Sequence, residues 1–259
     1  MIEIKNICKS FEGRPILKSI STKFEKGKTN LIIGQSGSGK TVLLKSIVGL
    51  LDIDEGEILY NGDDVSHLSE KKRKNLRQEI GMVFQGGALF DSLTVEENVR
   101  FPLDMFTKSS EKEKIDRVNF CLERVDIKGA NDLYPAEISG GMRKRVAIAR
   151  AIVLNPKYLF CDEPNSGLDP MTSILIDNLI NQITRDLDIT TIINTHDMNS
   201  VMEIGDNILF ISHGEKWWEG NKNEILYTSN EKLNDFVFAS PLYREMRTLK
   251  KQELNDEKS

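Results

Sequence analysis

The sequence predicts an α/β fold in which helices cover a mainly parallel sheet and a helical insertion interrupts the core. Three observations predict it. The short apolar strand Leu31-Ile32-Ile33 runs into a glycine-rich loop, Gly34 to Gly39, and a helical pattern follows it. From residue 139 onward strands and helices alternate, the pattern of parallel strands joined by crossover helices. Between these halves, residues 94 to 137 carry helix-start signals in place of strand patterning.

Each element follows in order. Residues 1 to 33 read as short strands, with turn chemistry at Gly13-Arg14-Pro15 and Glu25-Lys26-Gly27. After the glycine loop, Val42, Leu43, Ile47, Val48 and Leu51 recur at helical spacing. Residues 55 to 62 read as a strand ending in the turn Asn61-Gly62, and Glu79 to Phe84 as another strand. Thr94 with Glu97, and Ser110 with Glu113, each form a capping-box pattern. Ile115, Val118, Leu122 and Val125 mark the apolar face of the second insertion helix. A helix runs from Ser139 to about Leu154, strands follow at 158–161, 190–194 and 207–211, and helices fill the gaps near 171–185 and 197–204. The reading is one domain over 1–220 with a helical subdomain at about 86–137, then a C-terminal extension over 221–259 whose last residues are disordered.

Composition narrows the function. Hydrophobic residues are 39% and charged residues 29% of 259, enough for a sizeable core. A net charge of −5 argues against nucleic acid as a partner. Cys8, Cys121 and Cys161 are far apart, fit no metal spacing, and suit a reducing compartment. The N-terminus alternates like a strand and does not read as a signal peptide. No apolar run approaches the ~18 residues of a membrane span, so any membrane role comes through a partner.

The chemistry begins at Gly34-Gln35-Ser36-Gly37-Ser38-Gly39-Lys40-Thr41, a full match to G-x-x-x-x-G-K-[ST] with a strand before it and a helix after. Glycines let backbone N–H groups converge on phosphate oxygens, and the helix N-terminus adds its positive end. Lys40 reaches the β- and γ-phosphates of ATP and the Thr41 hydroxyl binds Mg²⁺ in this pattern. The apolar strand Tyr158-Leu159-Phe160-Cys161 ends in Asp162-Glu163. Two charges at a buried strand end need a use. Asp162 suits Mg²⁺, and Glu163 suits activation of a water for attack on the γ-phosphate.

Other features are less decisive alone. Ser139-Gly140-Gly141 opens a helix and reads as an ordinary cap or, beside the first loop, as a second phosphate contact. The basic run Arg143-Lys144-Arg145 reads as a solvated or partner-facing surface. His196 and Gln85 each follow a strand, where ligands bind in open α/β sheets.

The order of these motifs resembles the ABC-transporter ATPase family over about residues 1 to 220. The resemblance implies a P-loop NTPase core with an N-terminal antiparallel β subdomain. It implies Phe11 as the aromatic stacking on adenine, Gln85 as the lid-loop glutamine linking Mg²⁺ and water to the transporter, and His196 as the switch histidine. It also implies that Ser139, Gly140 and Gly141, with Asp169 of the run Ser166-Gly167-Leu168-Asp169, act on ATP held by the opposite subunit. Hence it implies a homodimer beneath integral membrane permease subunits, peripheral on the cytoplasmic face of the inner membrane. Met142 stands where most members carry glutamine, Ile138 where leucine is usual, and Asn165-Ser166 also departs from the common run.

The stretch Phe84 to Val99, followed by Phe101-Pro102-Leu103, is similar to ATPases of Mla-type systems, as is the Ser-Gly-Gly-Met form. Those systems move phospholipid between bacterial membranes with an MCE-domain protein, which the similarity implies as a further partner. A transporter of a polar solute such as an amino acid is the alternative. A soluble ABC ATPase usually carries two cassettes or a long coiled coil, and this chain has neither. A kinase or GTPase needs no Ser139-Gly140-Gly141 element, and Asn221-Lys222 lacks the guanine-reading aspartate spacing.

Overall fold

A computed structural model of the chain describes residues 1–239, 243–245 and 248. Two sheets organise it. The first has four antiparallel strands in the order β2-β1-β4-β5, where β1 is Ile2–Phe11, β2 Arg14–Phe24, β4 Glu55–Tyr60 and β5 Asp63–Asp64. The second has six strands in the order β10-β9-β3-β8-β7-β6, with β3 Thr29–Ile33, β6 Ile80–Val83, β7 Tyr158–Asp162, β8 Thr190–Thr195, β9 Asn207–Ser212 and β10 Glu215–Gly220. All its pairings are parallel except β9 with β10. The helices are α1 Lys40–Val48, α2 Glu70–Gln78, α3 Val95–Phe106, α4 Glu111–Arg124, α5 Gly140–Ile152, α6 Pro170–Asp186, α7 Met198–Ile204 and α8 Glu231–Val237.

The central strands β3, β7 and β8 are buried at every residue. That is why they read as continuous apolar runs. Their period of two sends alternate side chains into two cores. Leu31, Leu159, Cys161, Ile193 and Phe210 pack with α5, α6 and the helical insertion. Ile32, Phe160, Ile192 and Leu209 pack with α1 and the antiparallel sheet.

Local signals hold where they were strongest. Both capping boxes form, at Thr94–Glu97 and Ser110–Glu113. Asn61 and Gly62 turn with φ of 52° and 94°, the positive pair a tight hairpin needs. On α4, Val118 and Leu122 are buried, whereas Ile115 is 36% exposed and Cys121 takes a core place instead. Helix α2 and strand β10 were not apparent in the sequence pattern. The segment Glu70–Gln78 has one apolar residue, Leu76, and lies over β6. Strand β10 returns from β9 through His213-Gly214, again with positive φ at both positions. Beyond residue 220, Ile225, Leu226, Leu233, Val237 and Phe238 bury themselves in the first core. The disorder expected for 253–259 lies outside the described residues.

Candidate functional site

Parallel register carries the candidate residues to one edge of the large sheet. Ile33 pairs with Thr195, Val83 with Cys161 and Asp162 with Asn194. The loops after β3, β6, β7 and β8 therefore open together at the carboxyl ends of the strands, where open α/β sheets bind ligands.

The phosphate loop is shaped for close approach. A Cβ on Gly34 would stand 2.1 Å from the Ile211 carbonyl oxygen and 2.8 Å from Ser38 Oγ. Gly39, with φ of 105°, caps α1 and lies against Leu17 and Ile16. Lys40 is buried, and its Nζ donates to the carbonyls of Gly34 at 2.8 Å and Gln35 at 3.0 Å. Burial holds its ammonium below the usual lysine range, while the Glu163 and Asp162 carboxylates oppose that shift. Ser38 Oγ is buried without a hydrogen-bond partner. A buried lysine, an unpaired hydroxyl and a helix N-terminus converge on one small loop, and this chemistry fits polyphosphate.

The strand-end carboxylates sit beside it. Thr41 Oγ1 donates to Asp162 Oδ1 at 3.2 Å, and Asn194 Nδ2 donates to the same oxygen at 3.0 Å. Among the described residues no three His, Cys, Asp or Glu side chains form a metal cage. An oxygen set of one carboxylate and one hydroxyl suits Mg²⁺, which keeps waters and takes phosphate oxygens.

Glu163 adopts φ of 49°, and its N–H donates to the Asn194 carbonyl at 3.0 Å. Its Oε2 accepts from Gln85 Nε2 at 3.2 Å, and its Oε1 lies 3.2 Å from His196 Nδ1. Gln85, Glu163 and His196, which are scattered along the sequence, thus meet. Gln85 Nε2 also donates to Ser166 Oγ at 3.2 Å.

Ser139, Gly140 and Gly141 stand elsewhere. They share a cleft of about 730 Å³ with Gly167 and Asp169, and no residue of 34–41 lines it. Ser139 Oγ accepts from the Met142 N–H at 3.2 Å and caps α5. A Cβ on Gly141 would meet Thr172 Cγ2 at 2.8 Å, so this helix start packs directly on the start of α6. Phe11 ends β1, 43% exposed, with Lys9 Nζ 5.5 Å from its ring centroid.

The basic run is solvated only in part: Arg143 is exposed and Arg145 half-buried, but Lys144 is not at the surface. Lys144 is buried and donates to the Gln85 carbonyl. Arg145 Nη1 donates to the Asp126 carbonyl at 2.8 Å, and Arg143 Nη1 to that of Ile138 at 3.2 Å. Farther along α5, Arg150 donates to the Gly87 and Ala88 carbonyls, both at 2.8 Å. These cations hold main-chain oxygens of loops that have no ladder partners, a use that composition does not reveal. Asn194 and Lys144 were also missed as contributors. Asn194 is signalled by a polar residue in the apolar strand Thr191-Ile192-Ile193.

The model of the family described as ABC transporter matches residues 17–166. The chain belongs to the ABC transporter family. Its cassette is an ATPase that binds ATP. It is similar to a probable ribonucleotide transport ATP-binding protein of Mycobacterium leprae, 40% identical over 89% of this chain and 66% of that protein. It is similar to the methionine import ATP-binding protein MetN of Campylobacter jejuni, 39% identical over 93% of this chain and 76% of MetN. It is similar to the intermembrane phospholipid transport ATP-binding protein MlaF of Haemophilus influenzae, 37% identical over 92% and 90%. The chain thus spans just under two thirds of the mycobacterial relative's length. Among solved structures, the dimeric ATP-binding cassette MJ0796 bound to ADP and Pi superposes with a TM-score of 0.79, at 30% identity, over 86% of this chain and 99% of that one.

Proposed function

We propose that this ABC ATPase powers phospholipid transport between bacterial membranes, as a homodimer under integral permease subunits and with an MCE-domain lipid-binding protein. The observation that carries the reading is the relative MlaF, matched at 37% identity through 92% of this chain and 90% of MlaF. The similarity of 84–103 to Mla-type systems supports it. No helix among the described residues is long and apolar enough to cross a membrane. Association with the cytoplasmic face therefore runs through the permease.

In the proposed mechanism, Gly34, Gln35, Ser36, Gly37, Ser38, Gly39 and Lys40 bind the phosphates of ATP, and Phe11 stacks on adenine. On nucleotide entry Lys40 exchanges its loop carbonyls for phosphate oxygens. Thr41 and Asp162, with Gln85 through water, would hold Mg²⁺, which would supply charge to offset that of the transferred phosphoryl group. Glu163 accepts a proton from the attacking water, and Gln85 and His196 orient that carboxylate and the water. Ser139, Gly140, Gly141 and Asp169 act on ATP of the opposite subunit, which accounts for their separate cleft.

A polar-solute transporter is the second reading, favoured by the MetN relative at 39% identity. Purification of the chain with its permease from native membranes decides between them. The lipid reading expects bound phospholipid by mass spectrometry and turnover that responds to phospholipid. Turnover that responds to methionine, with no bound lipid, overturns it.

A further inference from the structure

Behind the strand-end carboxylates the half-buried Asn165 meets two buried polar residues that take no part in nucleotide binding. Asn165 Nδ2 donates to Asp177 Oδ1 at 2.8 Å and to Ser200 Oγ at 3.1 Å. Asp177 is 3% exposed and Ser200 1%. Asp177 occupies the inner stripe of α6 with Ser173, Ile176 and Ile180, where an apolar residue is the ordinary occupant. Burial lifts its carboxyl to about 6 against the opposing hydrogen bonds of Ser200 and Asn165, and the acidic Asp197 and Glu203 add to the rise. A buried acid without a cation is costly unless it is used.

The location of Asn165 supplies a use. It sits inside the tight turn after β7, where the Ser166 N–H donates to the Glu163 carbonyl and the Leu168 N–H to the Asn165 carbonyl, both at 3.2 Å. Asp177 lies on the helix that follows Asp169, and Ser200 on the helix that follows His196. One side-chain amide therefore ties together the three segments that carry Glu163, Asp169 and His196. Glu163 and His196 lie 3.2 Å apart and, with Asn165 and Ser173, line a second cleft of about 600 Å³.

We propose that Asn165 is a positioning residue, which holds Glu163 in register with His196 and Asp169 by anchoring its turn to Asp177 and Ser200. This rests on the catalytic reading of Glu163 given above. Asn165 touches neither phosphate loop nor metal ligand, so its loss acts on turnover and leaves ATP binding in place. A displacement of the catalytic carboxylate by about 1 Å is enough to cost roughly 10²-fold.

The test uses the full chain and four variants: Asn165→Asp, Asn165→Ala, the double variant Asn165→Asp with Asp177→Asn, and Glu163→Gln as reference. ATP affinity, turnover and thermal melting are measured on each. Asn165→Asp sets two carboxylates against each other. The double variant transposes acid and amide and restores one donor–acceptor pair. The expected result is turnover at least tenfold down in both single Asn165 variants, ATP affinity within threefold of the parent, and recovery to within threefold in the double variant. If Asn165→Asp does not fold, Asn165→Ala carries the turnover and affinity readings. Turnover near the parent value in the Asn165 variants, with Glu163→Gln inactive, overturns the positioning role and leaves the catalytic reading standing. Turnover, affinity and melting that fall together, without recovery in the double variant, also overturn it. Parental turnover in Glu163→Gln overturns the catalytic reading itself.

Discussion

The ammonium of Lys144 donates to the backbone carbonyl of Gln85, which joins the helix begun by Ser139 to the loop whose side chain touches Glu163. Arg150, six residues farther along that helix, repeats the contact at Gly87 and Ala88. The two glycines and Ala88 leave the loop with positive φ at 87 and 88, a shape that local sequence alone does not favour at alanine. Two cations on one helix hold that shape. Lys144→Met removes the Gln85 donor and leaves a carbonyl without its partner, at a cost of about 1–3 kcal/mol. Chemical denaturation of the full chain measures it, and turnover falls with ATP affinity retained. Unchanged stability and turnover would remove Lys144 from the coupling.

In the proposed mechanism, hydrolysis needs the Glu163 carboxylate. Glu163→Gln keeps the shape and the Gln85 contact but loses the proton acceptor, and turnover falls by roughly 10²–10⁴-fold. With ATP present the variant dimerises stably by light scattering, because the nucleotide joining the subunits persists.

In the proposed mechanism, adenine recognition rests on a ring face. Phe11 has no polar handle and is 43% exposed, free to meet a base. Phe11→Ala weakens ATP binding by roughly 1–3 kcal/mol, as stacking on a base is worth, and Phe11→Tyr preserves it. Equal affinity in a nucleotide titration of all three forms counts against the assignment.

If the permease docks on the loop after β6, Phe90 is a residue it meets. Phe90 is 43% exposed, its ring packs at a 53° tilt against Phe101 with 4.8 Å between centroids, and its centroid lies 5.9 Å from the Arg150 guanidinium carbon. Buried Asn98 accepts from the Phe90 N–H at 2.8 Å and donates to the Phe90 and Leu93 carbonyls, both at 3.0 Å, so backbone contacts hold the loop whatever side chain stands at 90. Phe90→Asp therefore leaves stability within about 0.5 kcal/mol and ATP binding intact, and abolishes co-purification with the permease. A collapsed melt would return Phe90 to the core.

Stability responds to pH through Asp177. Its carboxyl, ordinarily near 3.8, titrates at about 6 in the fold, so the folded state binds this proton more tightly than the unfolded state. The resulting stabilisation is complete below the unfolded value and is lost as pH rises through about 6, a loss of roughly 3 kcal/mol. Asp177→Asn does not titrate and keeps an acceptor oxygen for Asn165. Its advantage over the parent grows between pH 4 and 6 and then stays constant. Denaturation across that range at fixed salt measures it, and a flat difference would sink the assignment.

The sequence alone determined what is local. Gly34 to Thr41 is legible because eight consecutive residues meet the backbone demands of a phosphate cradle without help from elsewhere. The capping boxes at Thr94 and Ser110 and the turn at Asn61-Gly62 are legible for the same reason, since each closes within four residues. The buried strands show because both of their faces lie against cores. The tertiary structure decided what crosses the chain. Gln85 meets Glu163 across 78 residues because β6 lies beside β7, and His196 meets it because β8 lies on the other side. No periodicity encodes that adjacency. Lys144 looked like a surface charge because its carbonyl acceptor belongs to a loop about sixty residues away, the loop that Arg150 also holds. Asp177 was one acid in a helical stripe until folding placed Asn165 and Ser200 on either side of it, since desolvation and hydrogen-bond partners are properties of the packed chain.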